Sequence, residues 1–197
     1  MKNGISELRV SMRAVLSLAI LLCGIYPFTI WILAQGVFPA RANGSLIVQD
    51  GELAGSSLIG QGFAGAKYFH SRPSAAGRGY DGAASGGSNL GPTSKNLFET
   101  IRRRVAEYRA ENDLSPDVLV PADAVTASAS GLDPHISVKN ASLQAPRVAK
   151  VRGISVASVI KCVETHTEGR DLGVFGEPRV NVLMLNLALD GVSNAGR

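Results

Sequence analysis

AVLSLAILLCGIYPFTIWILA, residues Ala14 to Ala34, is a run of twenty-one residues without a charge. At 1.5 Å per residue it reaches about 31 Å as a helix, which matches a hydrocarbon core of about 30 Å. A buried helix of a soluble domain would show a polar face, and this run has none. Its only hydroxyls, Ser17 and Thr29, can each return a hydrogen bond to their own backbone, so neither forces the segment out of lipid. The sequence therefore predicts a transmembrane helix over residues 14–38. Pro27 removes one backbone donor and predicts a kink beside Gly24. Gly24, Tyr26 and Pro27 are the candidates for a face on which another membrane helix packs, against the simpler reading of a proline merely tolerated in a span.

Working outward, Lys2, Arg9 and Arg13 precede the run, while the first twenty residues after it hold only Arg41. The positive-inside rule then places residues 1–13 as a cytoplasmic tail and residues 39–197 as an extracytoplasmic, periplasmic domain, in a single-pass protein of the cell inner membrane. Ala40-Arg41-Ala42 resembles a small-x-small cleavage site, but the apolar run exceeds the roughly 7–15 residues of a signal peptide, so an uncleaved anchor is expected.

The length beyond the span suits one domain with a core of its own. Residues 40–197 carry seventeen Lys and Arg against fifteen Asp and Glu, a small and scattered excess that excludes an electrostatic footprint for nucleic acid. Cys23 lies in the span and Cys162 in the external domain, so an intrachain disulfide would have to join membrane and solvent. His70, His135 and His166 have no second ligand at helical spacing, so no metal site is expected.

Along the external domain, Ser45–Val48 and Ser57–Ile59 read as two short strands of a hairpin. Gly60-Gln-Gly62-Phe-Ala-Gly65 matches a dinucleotide fingerprint on paper, yet no useful helix fits before Pro73, and the match reads as chance. Residues 71–93, rich in Gly, Ser and Pro, form a long loop. A helix follows from Ser94 to about Asn112, with Leu97, Phe98, Ile101, Val105 and Tyr108 as a core stripe, the Arg102–Arg104 run solvated, and Glu99 paired to Arg103. Val118–Val120 reads as a strand. Asp133 and Pro134 predict an N-cap and first turn for a helix from His135 to about Leu143, restarting at Pro146 and ending at Gly153. Ser155 caps a helix to His166, and the alternating leucines from Arg179 to Leu189 predict a closing strand. The predicted class is α+β: one N-terminal transmembrane helix followed by one extracytoplasmic domain of mixed helix and strand.

Two constellations invite chemistry. Ser128, Ser130, Asp133 and His135 hold the residue types of a nucleophile and its base, but there is no Gly-x-Ser-x-Gly elbow, and an Asp and His two residues apart are not expected to face each other as a catalytic pair does. No catalytic residue is therefore assigned. Ser85-Gly86-Gly87-Ser88 opens a glycine-rich turn that runs into the helix N-terminus at Ser94, where backbone amides could meet an anion; ordinary turns and a cap explain the same residues.

The stretches Asn43-Gly-Ser-Leu-Ile47, Gly55-Ser-Ser-Leu-Ile-Gly-Gln61, Tyr68-Phe-His-Ser-Arg-Pro-Ser74, Ser85-Gly-Gly-Ser-Asn-Leu-Gly91, Val125-Thr-Ala-Ser-Ala-Ser-Gly-Leu-Asp133, Pro146-Arg-Val-Ala149 and Arg179-Val-Asn-Val-Leu-Met-Leu-Asn-Leu-Ala-Leu-Asp190 resemble the C subunit (KdpC) of the Kdp potassium-transporting P-type ATPase complex. The resemblance spans nearly the whole chain in order and includes Tyr26-Pro27 in the span; Met184, where a charged residue is common, is a departure. It implies an accessory, non-translocating subunit with no catalytic site of its own. The implied partners are a potassium-translocating subunit, an ATP-hydrolysing P-type subunit and a very small stabilising subunit. No cofactor of its own is implied; ATP would be met only through the complex, and potassium is the transported ion. Two roles attach to the family. One is a catalytic chaperone that raises the ATP affinity of the pumping subunit, with Ser85, Gly86, Gly87, Ser88 and Gln144, joined by Arg147 as a charged donor, as contact candidates. The other is an external cap at the potassium entrance, which the predicted topology favours because it keeps those residues away from cytosolic ATP. A membrane-tethered envelope enzyme or solute-binding module is the alternative from another class.

Overall fold

The structure, a computed structural model, describes residues 2–49 and 51–195. The chain divides into two units, Met1–Ala54 and Gly55–Arg197. The first unit is led by a helix long and apolar enough to cross a membrane, Gly4–Val37. It is not α-helical throughout. Helix α1 (Lys2–Ala19) passes into a six-residue π-helical segment, Ile20–Ile25, before α2 (Tyr26–Val37) resumes. The wider turn has a local cause, because the ring of Pro27 would collide with the carbonyl of residue 23, and one extra residue in the turn moves that carbonyl aside. Thr29 returns its hydroxyl to the carbonyl of Ile25 at 2.8 Å, as the sequence predicts. A short helix α3 (Pro39–Ala42) precedes a two-stranded sheet of β1 (Leu46–Gln49) and β2 (Glu52–Ser56). The expected hairpin exists, but its second strand lies earlier than Ser57–Ile59. Gly51, with φ of 83°, takes the left-handed conformation that favours glycine, directly before β2 opens at Glu52.

The second unit is built on helices α6 (Val138–Arg152), α7 (Val156–Thr165) and α8 (Val182–Ala195) and an antiparallel sheet ordered β3-β5-β4, of His135–Ser137, Arg179–Asn181 and Thr167–Glu168. Ile136 and Thr167 both register with Val180 on the central strand. Phe69, Ile136, Ala141, Ala145, Val148, Val159, Val163, Val180, Leu185 and Leu189 form one buried core. Outside it, α4 (Lys95–Glu111) and the single turn α5 (Ala122–Val125) complete the helices.

The closing segment corrects the sequence reading most. Val182–Leu189 is helix, not strand. Asn181 ends β5 and accepts the Met184 amide at 3.2 Å as an N-cap, and the Val182 amide is taken by the carbonyl of Pro134. After that cap the Leu, Met and Ala side chains favour helix, and Val182, Leu185 and Leu189 fall on one buried stripe while Met184 points outward. Residues 135–137 are the converse case. They pair with β5, so Asp133 bonds the His135 amide in a turn at 3.0 Å and Ser137, not Asp133, caps α6 through the Asn140 amide. Helix α6 then continues through Pro146 to left-handed Gly153, because the residues around the proline are held by tertiary contacts.

Val118–Val120 is not a strand; the carbonyl of Val118 accepts Arg109 instead. The stripe on α4 is core only at Tyr108, while Phe98 is 53% exposed. The arginine run is not wholly solvated either: Arg104 donates to the carbonyl of Val125 at 3.0 Å, and Arg103 pairs with Glu107, not Glu99. Residues 60–65 form no strand-turn-helix. Gly60 passes so close to Asp133 that an added Cβ would lie 2.6 Å from its carbonyl oxygen.

Candidate functional site

Residues 69 and 70 run through the second unit without belonging to any strand, yet their buried peptide groups need partners. Two amide side chains supply them. Asn186 of α8 accepts the Phe69 N–H at 2.8 Å and donates to its carbonyl at 2.9 Å. Gln144 of α6 does the same for His70, at 2.7 and 3.1 Å. Each amide imitates a strand partner and fixes the chain to a helix.

Gln144 has no capacity left after this. Its oxygen also accepts Arg147 at 2.9 Å and its nitrogen also donates to Asn140 at 2.9 Å, so both donors and both acceptor positions are used. The network continues through Asn140, which accepts the Tyr108 hydroxyl at 2.8 Å and donates to Asp123 at 2.9 Å. Burial, with the charge of Asp123, pushes the Tyr108 phenol up and keeps it a neutral donor. Arg147, 8% exposed, donates to Asn112 and to the carbonyls of Ala66 and Tyr68. Burial pushes its guanidinium down, and Glu111 at 3.9 Å opposes that.

Beside Gln144 lies a cleft of about 280 Å³. Its walls bring together the rings of Phe63, Tyr80 and Tyr108, which no spacing in the sequence indicates. Its charged groups are Arg104, Glu107 and Glu111, with His70 bonded to Glu111 at 2.9 Å. Burial holds the His70 imidazole low, and Arg147 adds to this against the pull of Glu111. With His70 neutral, the cleft's own lining carries two carboxylates against one guanidinium, and Arg147 behind Glu111 offsets part of that charge.

The glycine-rich turn sits apart from this network, with no hydrogen bond joining the two among the described residues. Ser85 donates to the carbonyl of Ser130 at 3.0 Å, and Gly86 offers its amide to the same oxygen at 2.9 Å. Gly87 packs so that a Cβ would lie 2.9 Å from the carbonyl of Ala129, while Ser88 is exposed. One amide of the proposed anion nest is therefore already spent on residues 128–131, and Ser94 caps α4 through the Leu97 amide at 3.4 Å.

Asp133 and His135 do face each other, contrary to expectation, at 3.4 Å. The turn that displaces the helix start folds the imidazole back onto its neighbour. The other imidazole nitrogen looks toward Glu168 at 3.6 Å, not toward a serine, and Ser130 accepts the Leu132 amide. Burial would raise the Asp133 carboxyl, but His135 and Arg72 outweigh it and hold it at about 2.

In the first unit, Gly24 and Cys23 line an open apolar notch at the π-helical segment, together with Ala19 and Phe28. Tyr26 is exposed on the span next to Pro27.

The family described as K+-transporting ATPase, c chain (KdpC), matches residues 8–191, which takes in both units. The chain belongs to the KdpC family. A potassium-transporting ATPase KdpC subunit of Nitratidesulfovibrio vulgaris (strain DSM 19637 / Miyazaki F) is 56% identical over 188 residues, covering 94% of this chain and 94% of that protein. The protein of the same description from Mycobacterium tuberculosis (strain ATCC 25618 / H37Rv) is 57% identical over 84% of this chain and 88% of its own length. That from Myxococcus xanthus is 56% identical over 84% and 79%. The alternative of a tethered envelope enzyme or solute-binding module finds no support among these KdpC relatives.

Proposed function

We propose that this chain is the accessory, non-translocating subunit of an ATP-driven, high-affinity potassium uptake complex, and that its larger unit acts as an external cap at the potassium entrance. The family supports the complex. In this reading the partners are a potassium-translocating subunit, a P-type ATPase subunit and a very small stabilising subunit. The span anchors the chain in the inner membrane with its N-terminus in the cytoplasm and the larger unit in the periplasm, as Arg9 and Arg13 before the span and the lone Arg41 after it support.

One observation carries the choice of cap over catalytic chaperone. Gln144, one of the nucleotide-contact candidates, has every hydrogen-bonding position taken by the protein itself. A nucleotide would have to break a clamp on the main chain to reach it. The carboxylates of Glu107 and Glu111 beside it add repulsion for a triphosphate.

The test is steady-state ATPase activity of the assembled complex, titrated with ATP at saturating potassium, for wild type and Glu107→Lys. Glu107 is exposed at the cleft rim and its ion pair, with Arg103 at 3.7 Å, lies on the surface, so the change should leave the fold intact. An unchanged KM for ATP is expected. A KM lowered by the new positive charge would favour the chaperone reading.

A further inference from the structure

The span carries a defect at its midpoint that its own residues do not repair. The Tyr26 amide bonds the carbonyl of Leu21, five residues back, and Pro27 has no N–H to give. The carbonyls of Leu22, Cys23 and Gly24 are then left with one backbone amide among them, that of Phe28, before the α2 ladder resumes at Thr29. Cys23 and Gly24 both line the notch, so at least one acceptor there lacks a backbone donor. The Thr29 hydroxyl is spent on Ile25. In water such a carbonyl would be solvated; in hydrocarbon it stays costly until a donor arrives.

We infer that the notch seats a transmembrane helix of a partner protein, and that this helix brings a hydroxyl or carboxamide donor to the carbonyls of Cys23 and Gly24. This rests on the reading of the chain as a membrane-spanning subunit. The donor must come at the right depth. Residues 23 and 24 lie about 15 Å from either end of the Ala14–Ala34 run, beyond the reach of lipid headgroups, and acyl chains carry no donor. A parallel second copy would bring only the weak Cys23 thiol, since Ser17 lies six residues away and Thr29 is already used. Gly24 leaves the room, because nothing lies within 4 Å of where its Cβ would be. Close approach of backbones at small residues, joined by a side-chain hydrogen bond, is how helices associate where no hydrophobic force acts between them.

The experiment is affinity recovery of the tagged full-length chain from native membranes, comparing wild type, Pro27→Ala and Gly24→Leu. Pro27→Ala restores the missing N–H and lets the span rewind as an α-helix, closing the notch; Gly24→Leu fills it. Both should insert normally and recover partner membrane proteins about tenfold less well than wild type. Equal recovery by wild type and Pro27→Ala would overturn the inference while leaving the subunit reading intact. A wild-type chain recovered alone would overturn both. A high-yield Cys23-to-Cys23 cross-link in the same membranes would show a second copy in the notch and overturn the assigned occupant.

Discussion

Gln144 and Asn186 are the residues on which the second unit turns, each 1% exposed and each holding a peptide group of the 69–70 segment. Removing either leaves buried donors and acceptors without partners, which costs more than the bonds themselves contribute. Gln144→Leu is expected to lower unfolding stability by about 3 kcal/mol, measured by chemical denaturation, with Asn186→Leu similar. Loss of any activity in a Gln144 variant therefore reports folding before it reports a ligand. Asp133 makes a second residue-scale prediction. Its carboxyl sits at about 2 in the folded chain, below its ordinary 3.8, so the stabilisation exists above pH 4 and disappears as pH falls toward 2. Asp133→Asn should lose on the order of 2 kcal/mol at pH 7 and show a flatter stability profile between pH 4 and 2 than wild type. An equally steep profile in the variant would remove Asp133 as the source.

At the scale of elements, α8 offers the sharpest contrast between pattern and outcome. Its leucines at 183, 185, 187 and 189 satisfy a period of two, and the same segment satisfies a helical stripe through Val182, Leu185 and Leu189. The helix makes a distinct prediction: Leu185→Ala should destabilise the chain by about 3 kcal/mol and Leu187→Ala by under about 1, whereas a strand would bury both alike. The helices at 94–112 and 156–166 were legible because Ser94 and Ser155 cap them locally, through the Leu97 and Ser158 amides. Asp133-Pro134 gave an equally good local signal and failed, since pairing of His135–Ser137 with β5 depends on residues more than forty positions away. The span was readable from length and charge alone, and Pro27 pointed to an irregularity, though not to the π-helical turn that absorbs it. The cleft beside Gln144 was not readable. Phe63, Tyr80 and Tyr108 meet only through tertiary structure, and Tyr108 gave the same signal as any core aromatic on a helix stripe.

At the scale of the whole molecule, the proposed cap requires one arrangement, with the span as an anchor and the larger unit on the side from which potassium arrives, and the charge about the span supports it. That arrangement bears on ATP directly. With Gln144 and Arg147 engaged and Glu107 and Glu111 beside them, the full-length chain in detergent should bind ATP only in the millimolar range or more weakly, about 4 kcal/mol or less by calorimetry. Micromolar binding would return the chaperone reading to the front. The sidedness itself can be read without any ligand. A reporter fused after Arg197, which lies outside the described residues, should give periplasmic alkaline phosphatase activity and no cytoplasmic fluorescence when a green fluorescent protein takes its place. Fluorescence without phosphatase activity would put the larger unit in the cytoplasm and contradict the account of it as an external cap.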